Sequence, residues 1–281
     1  MDDNINTMVG IMQGRLTEPR NGKIQSFPWG RWEQEFECAK VLGFDAIGWI
    51  FEDERWQENP LWTDAGREKL KESMQRTGVR VEYLCADYFM EHPFIRVSQE
   101  EWNNTRAMLE EVMNRSADAG VRGIELPMVD NAAIQTEEER LRVMETLREF
   151  IPLMEELEME ISIESSLPSG QLKGVLEALD HPLFCITYDT GNSASLGYDT
   201  TEEIQTFGRW VRNVHIKDRV LHGTTVPLGS GNADFDGTFS ALRDMGYNGS
   251  FTLQAARAGD PVDNSKKQLA FLNEYMGAYL P

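Results

Sequence analysis

The chain has 281 residues, 41% of them hydrophobic, which suits either one α/β barrel of about 250 residues or two average domains. Its 47 acidic and 27 basic residues give a formal charge of −20, which argues against nucleic acid as a partner because a phosphate backbone would be repelled. We expect one domain over residues 1–281. No apolar run approaches the roughly 18 residues of a membrane span, and the acidic start MDDNINTM does not resemble a secretory leader, so we expect no membrane partner.

Short apolar runs alternate with longer amphipathic stretches, and this alternation repeats eight times along the chain. The predicted strands are residues 8–13, 45–51, 80–86, 123–127, 160–165, 184–189, 211–217 and 250–254. The predicted helices are residues 32–42, 64–77, 99–119, 136–157, 171–179, 201–207, 235–245 and 265–276. Parallel strands need helical crossovers, so eight unbroken βα units predict a closed (β/α)8 TIM barrel.

An open doubly wound sheet is the alternative, but MQGRL follows the first strand where a GxGxxG turn would stand. Helix ends are also marked in the sequence. Gly43, Gly78, Gly120 and Gly246 each follow a periodic stretch, as a left-handed helix end requires, and Thr136 offers an N-cap oxygen. These signals support the division into alternating strands and helices.

Four of the predicted loops that follow strands are long: residues 15–31, 52–63, 87–98 and 218–234. Loops in this position surround the active rim of a barrel. Five of the seven tryptophans lie in or beside the first two of these loops: Trp29, Trp32, Trp49, Trp56 and Trp62. Such aromatic area suits a sugar ring or a closing lid, and equally an interface in a homo-oligomer.

Four apolar runs in the second half of the chain end on residues that can hold a divalent metal: Glu164, Asp189, His215 and Gln254. Residues far apart in sequence surround one ion when their strands run parallel and end at the same rim. A core of this size needs no structural metal. The pattern therefore predicts a functional metal site.

Several motifs at these strand ends resemble those of a known family. They are the opening MQGRL, YDTGNS at 188–193, VHIKDR at 214–219 and PLGSGNADF at 227–235. In this order they resemble the xylose isomerase-like TIM barrels of sugar-phosphate isomerases and epimerases. The resemblance runs from GIMQGRL to FTLQAAR and implies an enzyme that acts on a sugar or a sugar phosphate.

The resemblance also implies one divalent ion, Mn, Mg or Zn, held by Glu164, Asp189, His215 and the residue at 254. Ketose epimerases of the family have Glu there, whereas this chain has Gln254. A glutamine oxygen can still bind a hard or borderline cation, but its amide cannot accept or supply a proton near neutral pH. Metal binding is thus expected, while the second base of a two-base epimerase is missing.

The expected chemistry is metal-assisted enolisation with Glu164 as the base. An aldose–ketose isomerisation needs only one base, because the same carboxylate can move the proton between adjacent carbons. Epimerisation needs a second proton carrier. Glu125 is the catalytic candidate for that role, and Asp87 is the other residue near enough by strand position.

Recognition of the substrate is predicted to involve residues at or after strand ends: Arg15, Asp87, His92, Asn192, Lys217 and Arg257. The basic members end strands one, seven and eight, and their convergence would suit a phosphate or carboxylate group. The alternative for these basic residues is ion pairing with nearby acids such as Asp218 and Asp260.

Three other functions are compatible with the sequence. The chain could be a degenerate barrel that binds a sugar without converting it, an aldolase with Lys217 as Schiff-base nucleophile, or a phosphodiesterase resembling endonuclease IV. The last is disfavoured by a content of only four histidines. Cys38, Cys85 and Cys185 are odd in number and widely spaced, which predicts a reducing, cytoplasmic location.

Overall fold

The computed structural model describes residues 7–280, so the first six residues and the last one lie outside the described part. Its strands are β1 (Val9–Met12), β2 (Ala46–Ile50), β3 (Tyr83–Cys85), β4 (Gly123–Met128), β5 (Glu160–Ser165), β6 (Phe184–Asp189), β7 (Val211–Ile216), β8 (Asp218–Arg219), β9 (Thr225–Val226) and β10 (Ser250–Leu253). All except β8 and β9 close a barrel in the order β1, β10, β7, β6, β5, β4, β3, β2. The predicted (β/α)8 barrel is confirmed, and the open sheet is wrong.

The α-helices of the described chain follow the strands as expected for this fold. They are α1 (Trp32–Leu42), α2 (Asp64–Thr77), α3 (Tyr88–Glu91), α4 (Gln99–Asp118), α5 (Glu137–Arg148), α6 (Ile151–Leu157), α7 (Ser169–Leu179), α8 (Thr190–Leu196), α9 (Thr200–Phe207), α10 (Phe235–Asp244) and α11 (Pro261–Tyr279). Every residue of β2, β4 and β6 is buried. Strands covered on both faces explain the nearly continuous apolar runs of the sequence.

The chain contacts form two compact units, one reaching Ile47 and resuming at Thr187, the other comprising Gly48–Ile186. In the first unit β10 pairs in parallel with β1 and β7, and Thr252 lies opposite His215. In the second unit β4 pairs with β3 and β5, and Glu164 lies opposite Pro127. These registers fix the height of the candidate site residues on their strands.

The helix ends agree with the capping signals. Gly43, Gly78, Gly120 and Gly246 all have positive φ, between 70° and 87°, the left-handed conformation that glycine adopts without steric cost. Thr136 forms a reciprocal capping box with the third residue of α5. Local sequence therefore determines where these helices begin and end.

The predicted helix 136–157 is wrong as a single element. It divides into α5, which ends at Arg148, and α6, which begins at Ile151. Pro152 lies in the first turn of α6. A proline is tolerated in a first turn, because that N–H has no partner within the helix, but it would interrupt a helix that continued from α5. The short α3 and α8 and the β8–β9 hairpin were not predicted, because each is too short to show an apolar period.

The structure also bears on the membrane and cysteine predictions. Within residues 7–280 no helix combines the length and the apolar character that a bilayer crossing requires. Cys38, Cys85 and Cys185 form no disulfide within the described residues, and the last two are buried. The cysteines therefore pack as side chains of the fold rather than as a covalent framework.

Candidate active site

The strands carry buried polar side chains at every second position near their carboxyl ends. Residues two apart on a strand share a face. The buried pairs are Ser162 and Glu164, Thr187 and Asp189, Asn213 and His215, and Thr252 and Gln254. Thr252 Oγ1 donates to Asn213 Oδ1 over 3.0 Å, which places Thr252 on the polar face of the neighbouring β7. One face of these strands is thus a buried polar surface.

Potential metal ligands from three strands lie close together. Glu125 on β4 is 1% exposed, Glu164 on β5 is 5% exposed, and His215 on β7 is fully buried. One carboxylate oxygen of each glutamate and one ring nitrogen of His215 all lie within 4.8 Å of one another. Carboxylate and imidazole are ligands that borderline divalent cations accept. This buried group of three could hold a metal ion.

Asp189, the second predicted carboxylate ligand, lies beside His215 at the end of β6. Its Oδ2 is 3.9 Å from His215 Nδ1 and accepts a hydrogen bond from Lys217 Nζ over 2.7 Å. Its Oδ1 caps α8 by accepting the backbone N–H of Asn192 over 2.8 Å. The carboxylate is therefore positioned by its own helix and paired with an ammonium group.

The close approach of Lys217 to α8 depends on Gly191. A Cβ at this position would lie 2.6 Å from Cγ of Lys217, closer than side chains pack. The glycine of YDTGNS thus makes room for the lysine that reaches Asp189. In the same motif, the Asn192 Oδ1 atom accepts a hydrogen bond from Arg219 over 2.8 Å.

Gln254 follows β10, and its backbone N–H donates to the carbonyl of Ile216 over 3.1 Å. The side chain is 4% exposed. Its Nε2 donates to Oε1 of Gln25 over 3.1 Å, whereas its buried Oε1 accepts no hydrogen bond from residues 7–280. A buried acceptor oxygen without a donor is a feature that a cation would satisfy.

Arg15 and Arg257, predicted to bind an anionic group, donate to backbone carbonyls. Arg15 reaches Ala255 over 3.1 Å and Ile24 over 2.6 Å. Arg257 reaches Ile24 over 2.9 Å and Thr17 over 3.0 Å. Both guanidinium groups therefore hold the segment that follows β1, and their role toward substrate stays a prediction.

Asp87 and His92 lie in the loop after β3. Asp87 accepts a hydrogen bond from the thiol of Cys85, 3.1 Å away. His92 is paired with Asp53 through Nε2 over 2.7 Å and stacks on the ring of Tyr88 at a centroid distance of 4.3 Å. Neither belongs to the group of Glu125, Glu164 and His215, so their contact with substrate also stays a prediction.

In the loop after β2, Trp56 and Trp62 are half-buried and form an aromatic cluster with Phe51, whereas Trp49 lies within β2 itself. Trp49 is fully buried, and its indole N–H donates to Asn59 over 3.2 Å. Trp56 meets Trp62 edge-on at a centroid distance of 4.6 Å, and Trp62 stacks on Phe51 at 5.5 Å. These rings stabilise the loop by packing on one another.

Two residues of the site region were not identified from the sequence, Gln25 and Glu35. Glu35 accepts hydrogen bonds from the backbone N–H groups of Gly14 and Leu16, over 2.7 and 3.2 Å, and from the hydroxyl of Thr17. Glu35 occupies a buried position on α1 beside Phe36. An acidic residue at an apolar position of the helix is the sequence feature that could have identified it. Gln25 gave no comparable signal, because its loop has no period.

The sequence pattern of the xylose isomerase-like TIM barrel matches residues 36–275. The chain belongs to this family. One relative is L-ribulose-5-phosphate 3-epimerase UlaE of Escherichia coli (strain K12 / DH10B). It is 27% identical over 248 residues, which cover 82% of this chain and 85% of that protein.

Solved structures share the family fold. IolI protein with a bound zinc atom superimposes with a TM-score of 0.77 at 17% identity, covering 97% of this chain and 99% of that one. D-psicose 3-epimerase with D-tagatose, from Clostridium cellulolyticum H10, gives 0.74 at 16% identity, covering 96% and 99%. At these identities the likeness establishes the barrel and leaves the activity to the residues of the site.

Proposed function

We propose that the protein is a metal-dependent isomerase or epimerase of a sugar or sugar phosphate. The observation that carries this proposal is the buried group of Glu125, Glu164 and His215, whose ligand atoms lie within 4.8 Å of one another. Membership of the family supports sugar isomerisation or epimerisation as the reaction class, since the relative named above is a ketose-phosphate epimerase. Buried carboxylates grouped with an imidazole are typical of metal and catalytic sites.

The predicted ligand set differs from this group, because it has Asp189 in place of Glu125 and adds Gln254, but its donor atoms suit a single divalent cation. Glu164, Asp189 and His215 would supply two carboxylates and an imidazole, and the buried Oε1 of Gln254 would supply a neutral oxygen. Mixed oxygen and nitrogen ligands suit Mn²⁺ or Zn²⁺, and Mg²⁺ less well. When bound, the cation supplies Lewis-acid stabilisation of negative charge on the oxygens of the substrate.

Glu164 is the proposed base. It removes the proton from the hydroxyl-bearing carbon next to the sugar carbonyl, which leaves an enediolate in which the hydroxyl proton passes to the former carbonyl oxygen. Glu164 holds the proton taken from carbon while the enediolate forms. Return of that proton to the neighbouring carbon completes an isomerisation with one base.

Epimerisation requires a proton donor on the opposite face of the same carbon. Gln254 cannot fill that role, because an amide does not titrate near neutral pH. Glu125, which is buried on β4, is the candidate we propose for this role, and it would have to approach the carbon from the side opposite Glu164.

The aldolase alternative is disfavoured by the environment of Lys217. A Schiff-base lysine must react as the neutral amine. Nζ of Lys217 lies 2.7 Å from the buried carboxylate of Asp189, and this ion pair favours the ammonium form. We therefore assign Lys217 to the positioning of Asp189.

Deuterium exchange tests the proposal directly. The metal-loaded enzyme would be incubated in D2O with ketopentoses and ketopentose phosphates, and the recovered sugars analysed by mass spectrometry. Incorporation of solvent deuterium at carbon is expected, because the base exchanges its proton with solvent between removal and return. Glu164→Gln should lower the exchange rate by about 100-fold or more.

Glu156→Gln is the matched control, since it makes the same chemical change at an exposed position of α6 and should leave exchange unaltered. Exchange that survives in Glu164→Gln would assign the base to another residue. If the metal-loaded wild type shows no exchange with any ketose, the proposed activity is wrong and a barrel that only binds sugar is favoured.

A further inference from the structure

The side-chain amide of Gln254 has one end that can ligate a cation and one end that repels it. The oxygen is an acceptor and the NH2 group is a donor, although the two ends have nearly the same shape. A carboxylate has two equivalent oxygens and no such asymmetry. A glutamine in a metal site therefore needs something that fixes which end faces the ion.

The hydrogen bonds of Gln25 determine which end of the Gln254 amide faces the ion. The guanidinium of Arg15 can only donate, and one of its terminal nitrogens lies 3.4 Å from the Gln25 side chain. The Gln25 atom facing Arg15 must then be its oxygen. The same oxygen lies 3.1 Å from the end of the Gln254 side chain, so that end must be the NH2 group.

Arg15 is itself held in place, since it donates to the carbonyls of Ala255 and Ile24 and is 4% exposed. The series of donors and acceptors from Arg15 through Gln25 to Gln254 thus has one consistent orientation. It leaves Oε1 of Gln254 buried and without a donor in the described chain. Leaving a buried acceptor unsatisfied destabilises the fold, so the arrangement points to a ligand.

We infer that Gln25 is a positioning residue that turns the amide of Gln254 so that its oxygen faces the cation. This inference rests on the proposed function, because it needs a cation at that site. Gln254 continues the face of Thr252, and Thr252 lies opposite His215 in the sheet register, so the oxygen is presented on the same face as the imidazole. Gln25 thereby makes a neutral residue at 254 serviceable as a ligand.

Calorimetric titration of the metal-stripped protein with Mn²⁺ tests the role of Gln25. Gln25→Met keeps the length of the side chain and removes the acceptor, and Gln25→Ser withdraws it from reach. Both should weaken Mn²⁺ binding by about 10- to 100-fold, the usual effect of losing a group that orients a ligand. Gln25→Glu is the matched control, because it still accepts from Arg15 and Gln254, and it should bind at least as tightly as wild type.

The same substitutions in a Gln254→Glu background separate orientation from loop folding. A carboxylate at 254 has no wrong end, so Gln25→Met should change Mn²⁺ affinity by less than about threefold there. Equal weakening in both backgrounds would show that Gln25 only folds its loop and would overturn the inference.

The remaining outcomes distinguish this inference from the proposed function. Normal Mn²⁺ binding by wild type together with unchanged binding by Gln25→Met and Gln25→Ser would overturn the inference alone. Absence of binding of Mn²⁺ and Zn²⁺ by wild type would overturn both the inference and the metal dependence of the proposed activity. If Gln25→Met does not fold, Gln25→Ser and the Gln25→Glu control decide the result.

Discussion

Substitution of Glu35 by glutamine should change how the stability of the protein depends on pH. Glu35 is 1% exposed, and burial raises the pKa of its carboxyl group from 4.5 to about 7, although hydrogen bonds from Gly14, Leu16 and Thr17 oppose the rise. The folded chain therefore binds this proton more tightly than the unfolded chain. Stability from Glu35 is fully present below pH 4.5 and is lost as the pH rises through about 7.

The magnitude follows from the difference between the two pKa values. A rise from 4.5 to about 7 corresponds to about 3 kcal/mol of unfolding free energy at about 1.4 kcal/mol per pKa unit. Glu35→Gln does not titrate. Relative to this variant, the wild type should lose about 3 kcal/mol of stability between about pH 4.5 and about pH 8.

Urea unfolding of both proteins at a series of pH values measures this difference, because other titrating groups contribute equally and cancel. Glu37→Gln, an exposed change on the same helix, is the control and should show no such trend. A constant difference between wild type and Glu35→Gln would refute the reasoning and show that the hydrogen bonds fully offset the effect of burial on the pKa.

Two further predictions concern Lys217 and Arg257. Lys217→Met removes the ammonium group 2.7 Å from buried Asp189. Urea unfolding of the metal-free variant should show that the free energy of unfolding falls by about 3 kcal/mol. Unchanged stability would contradict a role of this ion pair in stability. Arg257→Met removes hydrogen bonds of 2.9 and 3.0 Å to carbonyls of the segment 17–24, which together contribute about 2 kcal/mol. Limited proteolysis within 17–24 should therefore become about tenfold faster or more. Arg31→Met, at an exposed position, is the control, and equal cleavage of the two variants would contradict the role of Arg257.

The fold was predictable because the barrel strands are short runs buried on both faces over nearly all of their length, which separates them from the amphipathic helices around them. Errors arose where one residue overrides a longer pattern. The apolar period of 136–157 predicted a single helix, but Pro152 divides this segment into two. The small polar residues of TGNSASL show no period, so α8 was missed although Asp189 caps it.

The candidate site was partly predictable for a geometric reason. Parallel strands of a barrel end at one rim, so Glu164 and His215 could be brought together from strand positions alone. The partner of Gln254 could not be found in this way. Gln25 is 229 residues away in sequence and lies in an irregular loop, so only the folded path of that loop makes them neighbours.

The arginines show the same limit. Arg15 and Arg257 end strands on an acidic protein, which favoured a role in anion binding. Whether a guanidinium group reaches a ligand or the main chain depends on the path of the following loop. Here the carbonyl of Ile24 accepts from both, a contact that no local pattern encodes.

The hairpin of β8 and β9 has a consequence for the kinetics of ligand capture. Asp218 is 1% exposed, and its carboxylate accepts the backbone N–H groups of Gly231 and Ala233 over 2.8 and 3.0 Å, so the connection after β7 is already folded and pinned at its base. Ordering a connection that is anchored in this way costs less entropy on binding of the proposed sugar substrate than ordering an unanchored loop would. We therefore expect association with that substrate to need less rearrangement of this connection.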